Sequence, residues 1–489
     1  MSKIKSLILG SAAVLAAASG AQAADLPVKA KAVQYVKICS LYGAGFYYIP
    51  GTDTCIKLGG YVQLDVTLNG SAHGQPAWNN SANTGLQNRS SDAFVTRTRA
   101  QLNIDTRTAS EWGVVRTYWA SNFQHTSGDG PSSGVLTMDL GFVQFAGFTF
   151  GKAISAFQTP WGGTPVGLNT SNLIGGYDNS TGITQIAYTW QFGNGVSASV
   201  AVEDNRVINR APIFNGANAS TAAQFFTGAY TNASGGQASP DFVGNVRIDQ
   251  AAFTAQLSGG LHNIRANYYG ATEPTGHPSD EWGFAIQGGL QLKNLPTGPG
   301  DKLSITAIYA DGAPKYAING TTGNSFDAFN NSGTSSPAFY QTFAVAALLD
   351  GVYGPGGSIQ KTKVWAVQGG FEHNWNPQWQ TSVFGSYTNV DYNGTATGII
   401  CTNTAAFYGV GSTCNPDFNI WQIGSRTAWT PVRNLTLSGE VLYSTLDQSN
   451  TGGTTAVAAG AAGLFKPAGA YEFKDQGNLS GSFRVRRTW

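Results

Sequence analysis

Apolar residues in this chain recur at every second position rather than in long runs, and that periodicity limits what the chain can build. In 94–108, Arg97, Arg99, Gln101, Asn103, Asp105 and Arg107 share one parity, while Thr98, Ala100, Leu102, Ile104 and Thr106 share the other. Side chains of an extended strand alternate between its faces, so one face is charged and the other apolar. The segment 113–121 repeats the pattern, with Arg116 and Tyr118 opposite Val115, Thr117 and Trp119. So do the last eleven residues, where Leu479, Phe483, Val485 and Trp489 oppose Ser480, Ser482, Arg484, Arg486 and Thr488. An apolar face ending on an indole fits hydrocarbon outside, water inside and an aromatic belt between. The solvated side of an open antiparallel sheet is the competing reading of the same faces.

Composition separates the two. Only 11% of the 489 residues are charged, against about 25% in ordinary soluble proteins. Beyond the N-terminus the longest apolar run is seven residues, 343–349, well short of the ~20 that a spanning helix needs. A chain poor in charge, with 63 Gly, 12 Trp, 20 Tyr and 26 Phe, is suited to short alternating strands joined by small-residue loops. The expected fold is all-β, a transmembrane barrel. The formal net charge of +1 leaves no basic excess for nucleic acid.

Residues 1–23 read as a secretory signal: Lys3 and Lys5, an apolar stretch over 7–18, then Ala21-Gln22-Ala23. Residues 24–489 would form the mature barrel, with 24–57 as an N-terminal segment that contains two cysteines. Cys39 and Cys55 form one local pair and Cys401 and Cys414 another. In an oxidising periplasm both pairs read as disulfides. A metal site is the competitor, but the CxxC spacing and nearby histidines that zinc favours are missing.

Alternation bounded by Gly, Pro, Asn and Asp marks sixteen strands: 58–68, 94–108, 113–121, 136–145, 148–157, 184–192, 196–203, 241–249, 253–268, 281–292, 302–311, 363–375, 379–392, 419–429, 435–446 and 478–489. Short links such as 109–112, 146–147, 193–195, 376–378 and 431–434 take turns with long ones at 69–93, 122–135, 158–183, 204–240, 312–362, 393–418 and 447–477. An even count with short periplasmic turns and long extracellular loops is the layout of an outer-membrane barrel. Sixteen strands leave an aqueous bore, whereas about eight are filled by their own side chains. Two loop stretches, 338–350 and 456–465, are apolar and rich in small residues. Short helices or self-packed loop would both fit them.

On this layout Arg97, Arg99 and Arg116 face the lumen as a basic wall, and charged rings govern which ions pass. Arg107 lies close to the short turn and reads as rim. The third external loop, 158–183, is rich in Gly and Pro and holds one acid, Asp178. It is suited to folding against the wall, and an ordinary surface loop fits its composition equally well. The five histidines, His73, His125, His262, His277 and His373, are scattered, and the chain has no HxxxH pair, GxSxG elbow or P-loop. No enzyme, cofactor or metal is expected.

The segment 39–62, which opens Cys39-Ser40-Leu41-Tyr42-Gly43-Ala44-Gly45-Phe46-Tyr47-Tyr48 and closes Leu58-Gly59-Gly60-Tyr61-Val62, closely resembles the opening of alphaproteobacterial porins of the Rhizobiales and Brucella type. The arginine-rich second strand, Phe148-Thr149-Phe150-Gly151-Lys152 and Phe483-Arg484-Val485-Arg486-Arg487 are similar to that family as well. The resemblance implies a sixteen-stranded homotrimer in the outer membrane, amid lipid and lipopolysaccharide, passing small hydrophilic solutes and ions. Its third loop would fold inward as an eyelet, with Arg97, Arg99 and Arg116 on the basic side and Lys152 a further candidate. Two features depart from the family: the third loop holds fewer acids than general porins place there, and the final residue is Trp rather than Phe.

The expected function is therefore passive diffusion through an outer-membrane channel. A shut adhesive barrel, a sugar-specific channel and a secreted all-β binding protein are the alternatives.

Overall fold

The computed structural model describes residues 37–74, 92–161, 173–177, 181–217, 232–318, 323–330, 341–457 and 469–489. Among these, sixteen long strands follow one another antiparallel: β1 Cys55–Leu68, β2 Phe94–Ser110, β3 Gly113–Thr126, β4 Val135–Phe145, β5 Phe148–Ala153, β6 Ile183–Gly193, β7 Val196–Glu203, β8 Asp241–Asp249, β9 Phe253–Ile264, β10 Glu281–Lys293, β11 Lys302–Asp311, β12 Lys363–Asn374, β13 Trp379–Asp391, β14 Phe418–Val432, β15 Leu435–Gln448 and β16 Gln476–Thr488. Each pairs with the next, and β16 returns to β1 in a register that runs from Tyr61↔Thr488 to Leu68↔Gly481. The sheet is therefore a closed ring with no free edge, which satisfies every ladder donor and acceptor inside a membrane.

All sixteen expected strands are present, with ends that differ for local reasons. β5 stops at Ala153, four residues early, because the chain turns inward there: the Ser155 hydroxyl and the Ala156 amide both bond to Glu203. β9 stops at Ile264 because Arg265 and Ala266 pair instead with 233–235 of the fourth long connection.

The burial pattern inverts that of a soluble protein. Gln287 on β10 is 1% exposed while its neighbour Ile286 is 48% exposed. The same inversion sets Gln63 against Leu64, and Gln422 against Ile423. Such a surface is stable only where hydrocarbon replaces water outside. Aromatic rings gather at both ends of the outward face. Trp379 stacks on Trp429 at 5.7 Å near the short turns, while Trp365 with Tyr387 and Trp421 with Tyr443 lie toward the long connections. These are the two interfacial girdles.

The long connections build a second layer. Ser325–Asn330 and Gln341–Ala347 form a hairpin, and the latter runs parallel to Gly469–Phe473, which pairs with Thr454–Val457. The apolar stretch expected as helix or packed loop is thus a strand over Gln341–Ala347, while 458–465 lies outside the described residues. Phe326, Ala328, Ala344 and Leu348 of this layer share one core with inward-facing Val364, Ala366, Val390, Ile420 and Leu446. The loop end of β12–β15 is therefore covered from within. Helix α1, Gly394–Tyr408, is capped by the Asn393 side chain, which accepts from the Ala396 amide at 2.9 Å. Cys401–Cys414 ties this helix to the chain that follows it.

Residues 37–56 form a separate small unit around the Cys39–Cys55 disulfide, where Phe46 is buried and Tyr47–Tyr48 pairs with Cys55 and Ile56. Both expected cysteine pairs are disulfides.

Candidate functional site: the lumen wall

Strand parity places two kinds of surface inside the ring. On β16, β1, β2 and β3 it is arginine-rich. Arg97 reaches Asp65 with Nε at 2.9 Å and Nη2 at 2.6 Å, and Arg484 reaches the other oxygen of the same carboxylate at 2.6 Å. Arg97 Nη1 lies 2.6 Å from His73 Nδ1 in the first long connection. Burial, with the Arg97 charge alongside, holds His73 down to about 3, so Nδ1 accepts from the guanidinium. Arg99 donates to Gln124 at 3.0 and 2.5 Å, and Arg486 to Gln63 at 2.8 and 2.6 Å with its guanidinium over the Tyr61 ring.

Arg116 stands elsewhere along the bore. It pairs in register with Arg107, and both guanidinia hold Asp105 at 3.0 Å. Eight strand positions separate Arg107 from Arg99, about 26 Å along the strand. Arg97 and Arg99 thus lie toward the long connections and Arg116 toward the short turns, not at one level. Lys152 is set apart as well. It has the parity of the outward-facing Phe148 and Phe150, pairs with Gly141, and donates to the Met138 carbonyl at 2.6 Å. Strand parity therefore removes it from the arginine wall. Asp178 lies outside the described residues.

Asp65, Arg484, Arg486 and Asp105 complete the wall. The polar face of the last strand is legible in the sequence, but its place beside the first two strands comes only from ring closure. Each acid sits among the arginines of its own wall, so neighbouring charges largely neutralise one another there.

The opposite surface, β8–β14, is overlaid by the third long connection. Asn245 on β8 donates to the Ala156 carbonyl at 2.5 Å, Gln287 on β10 to Phe157 at 2.6 Å, and Gln256 on β9 to Gln158 at 2.9 Å. Trp161 Nε1 reaches Thr306 on β11. On its return the Ile174 amide donates to Gln422 of β14 at 2.7 Å, and Leu173 packs on Phe384 and Leu442. Gly176 lies flat on the Gln368 amide, where a Cβ would collide at 2.2 Å. The described parts of this connection therefore run inside the ring. Signal for this was present only as Gly and Pro content. The glutamines and asparagine that capture it sit on strands far away in sequence.

The family described as the porin subfamily matches residues 25–482 of this chain. A Brucella suis protein named Porin Omp2b is 37% identical over 212 residues, which cover 41% of this chain and 52% of that protein. Porin Omp2b of Brucella abortus strain 2308 is 36% identical over 214 residues, covering 41% and 54%. The chain thus spans about half the length of the curated relatives it matches. Among solved structures, the outer membrane channel DcaP of Acinetobacter baumannii superposes with a TM-score of 0.58 over 90% of this chain and 99% of that one. At 14% identity that likeness carries the fold alone. The family match takes in the first disulfide and fifteen complete strands and ends within the sixteenth, and the chain belongs to the porin subfamily, as a multi-pass β-barrel of the outer membrane.

Proposed function

We propose that this chain forms a water-filled channel through which small hydrophilic solutes and ions diffuse passively. The observation that carries this reading is the division of the lumen: the third connection is bonded to β8–β14, while the arginine wall on β16–β3 stands opposite. A loop laid against one wall narrows a sixteen-stranded bore without filling it. Passage through such a gap needs no chemical step, so the protein acts as a channel and not as an enzyme. Solute size is limited by the gap, and ionic preference is set by Arg97, Arg99 and Arg484 around Asp65. The resemblance to trimeric porins supports a homotrimer embedded in lipid and lipopolysaccharide.

Planar-bilayer recording tests it. Steady conductance steps are expected, altered in size by Asn245→Ala with Gln287→Ala, which removes two side-chain bonds to the third connection. Silence would favour a shut adhesive barrel, and steps of unchanged size in the double variant would remove the third connection from the narrowest part. Saturation of the current by one sugar would favour a substrate-specific channel.

A further inference from the structure

On the outward face, β5–β8 are furrowed rather than smooth. One cavity of about 520 Å³ is lined by Phe148, Tyr188, Val200, Phe242 and Gly244, and a second of about 900 Å³ continues it toward the long connections. The two share Ile186 and Val202, so together they form one continuous groove. Gly244 explains the furrow. It occupies the outward position between Phe242 and Val246, both exposed apolar side chains, and leaves the floor one side chain short.

The upper end of this groove changes character. Residues 235–240 of the fourth connection overhang it, and Arg206 and Arg210 line it just beyond the end of β7. Arg210 Nη2 donates to the Gly235 carbonyl at 2.6 Å, which fixes the overhang. Burial pulls the Arg210 pKa down against the Asp350 carboxylate, which acts to raise it, with Arg206 a smaller like charge nearby. The Arg206 side chain is exposed and makes no hydrogen bond or ion pair among the described residues. The acid at this rim, Asp204, accepts from the Arg206 backbone amide at 3.1 Å. An apolar furrow in hydrocarbon therefore leads up to two guanidinia at headgroup level, on the side of the long connections.

We propose that this groove binds a lipopolysaccharide molecule of the outer leaflet, with an acyl chain along Ile186, Val202 and Gly244 and a lipid A phosphate on Arg206 and Arg210. The inference rests on the outer-membrane channel reading, which puts the long connections in the leaflet that carries this glycolipid. Charge complementarity selects the occupant: a phosphate takes two guanidinium forks, and a fatty chain takes the furrow. A free phosphate would leave the furrow empty, and a neutral lipid would leave the exposed Arg206 guanidinium without an ion-pair partner among the described residues.

The test is native mass spectrometry of the full-length protein with bisphosphorylated lipid A, dephosphorylated lipid A and phosphatidylglycerol. Bisphosphorylated lipid A is expected to bind tightest. Arg206→Ala should weaken it about tenfold, as loss of one charge-assisted contact does, and Gly244→Leu should weaken both lipid A forms. Neither residue faces the lumen, so bilayer conductance of both variants should match that of the parent, which also shows that they fold. Equal binding of the dephosphorylated form, equal binding of phosphatidylglycerol, or unchanged affinity in both variants overturns the proposal. Absence of conductance in the parent protein would instead overturn the channel reading.

Discussion

Arg97 on β2 holds Asp65 on β1 through two guanidinium nitrogens, at 2.6 and 2.9 Å, with Arg97 only 2% exposed. Arg484, from the last strand, takes the other oxygen of that carboxylate. The seam where the ring closes is thus also where its lumen charge is concentrated.

Asp65→Asn should leave two guanidinia facing each other without their shared counter-charge. Breaking a buried pair from one side costs about 3–5 kcal/mol, with Asn at the lower end because it keeps acceptor capacity. The expected result is a lower unfolding temperature on semi-native gels, together with a reversal potential shifted toward anions under a salt gradient.

Arg97→Glu with Arg99→Glu should shift the reversal potential toward cations, since four units of charge change in the lumen. Lys152→Glu should leave it unmoved, because that side chain shares the outward face of Phe148 and Phe150. A selectivity change from Lys152→Glu as large as that from the double variant would contradict the strand parity.

Reduction should act locally. Cys401 and Cys414 are separated by 13 positions and close the loop that carries α1. A staple of this length is worth about 3 kcal/mol to its own segment. Dithiothreitol is expected to open 394–417 to limited proteolysis and to loosen residues 37–56, while the β-sheet signal in circular dichroism persists. Collapse of the sheet would show that the disulfides hold more than their loops.

His73 sets a pH window. Its pKa in the folded chain is about 3, below the ordinary 6.5, so the folded state binds fewer protons than the unfolded one between those values. The contribution of His73 to the docking of residues 69–74 should therefore be complete above pH 6.5 and decline as pH falls toward 3. Protease cleavage at 69–74 should rise between pH 7 and pH 4, and His73→Gln should flatten that dependence.

Period two and the alternation of short with long links are local properties, and they sufficed to place all sixteen strands, as the two local cysteine pairs did for both disulfides. The face each arginine takes is legible strand by strand for the same reason, since Arg97, Arg99 and Arg116 carry the polar parity of their own strands. Lys152 shares the parity of two phenylalanines on a short strand, so charge alone does not say which face it takes. The depth of Arg116 comes from antiparallel register, which sets it against Arg107, a relation that no single strand contains.

The chain by itself determined that alternate side chains meet hydrocarbon and water around an even number of strands, since each strand carries both faces in its own residues. Only the tertiary structure decided that Arg484 joins Arg97 on one carboxylate, and that the third connection lies along β8–β14. Those relations span the ring: a hydrogen bond between residues 65 and 484, or 174 and 422, exists only once the barrel has closed and the register of every intervening pair is set.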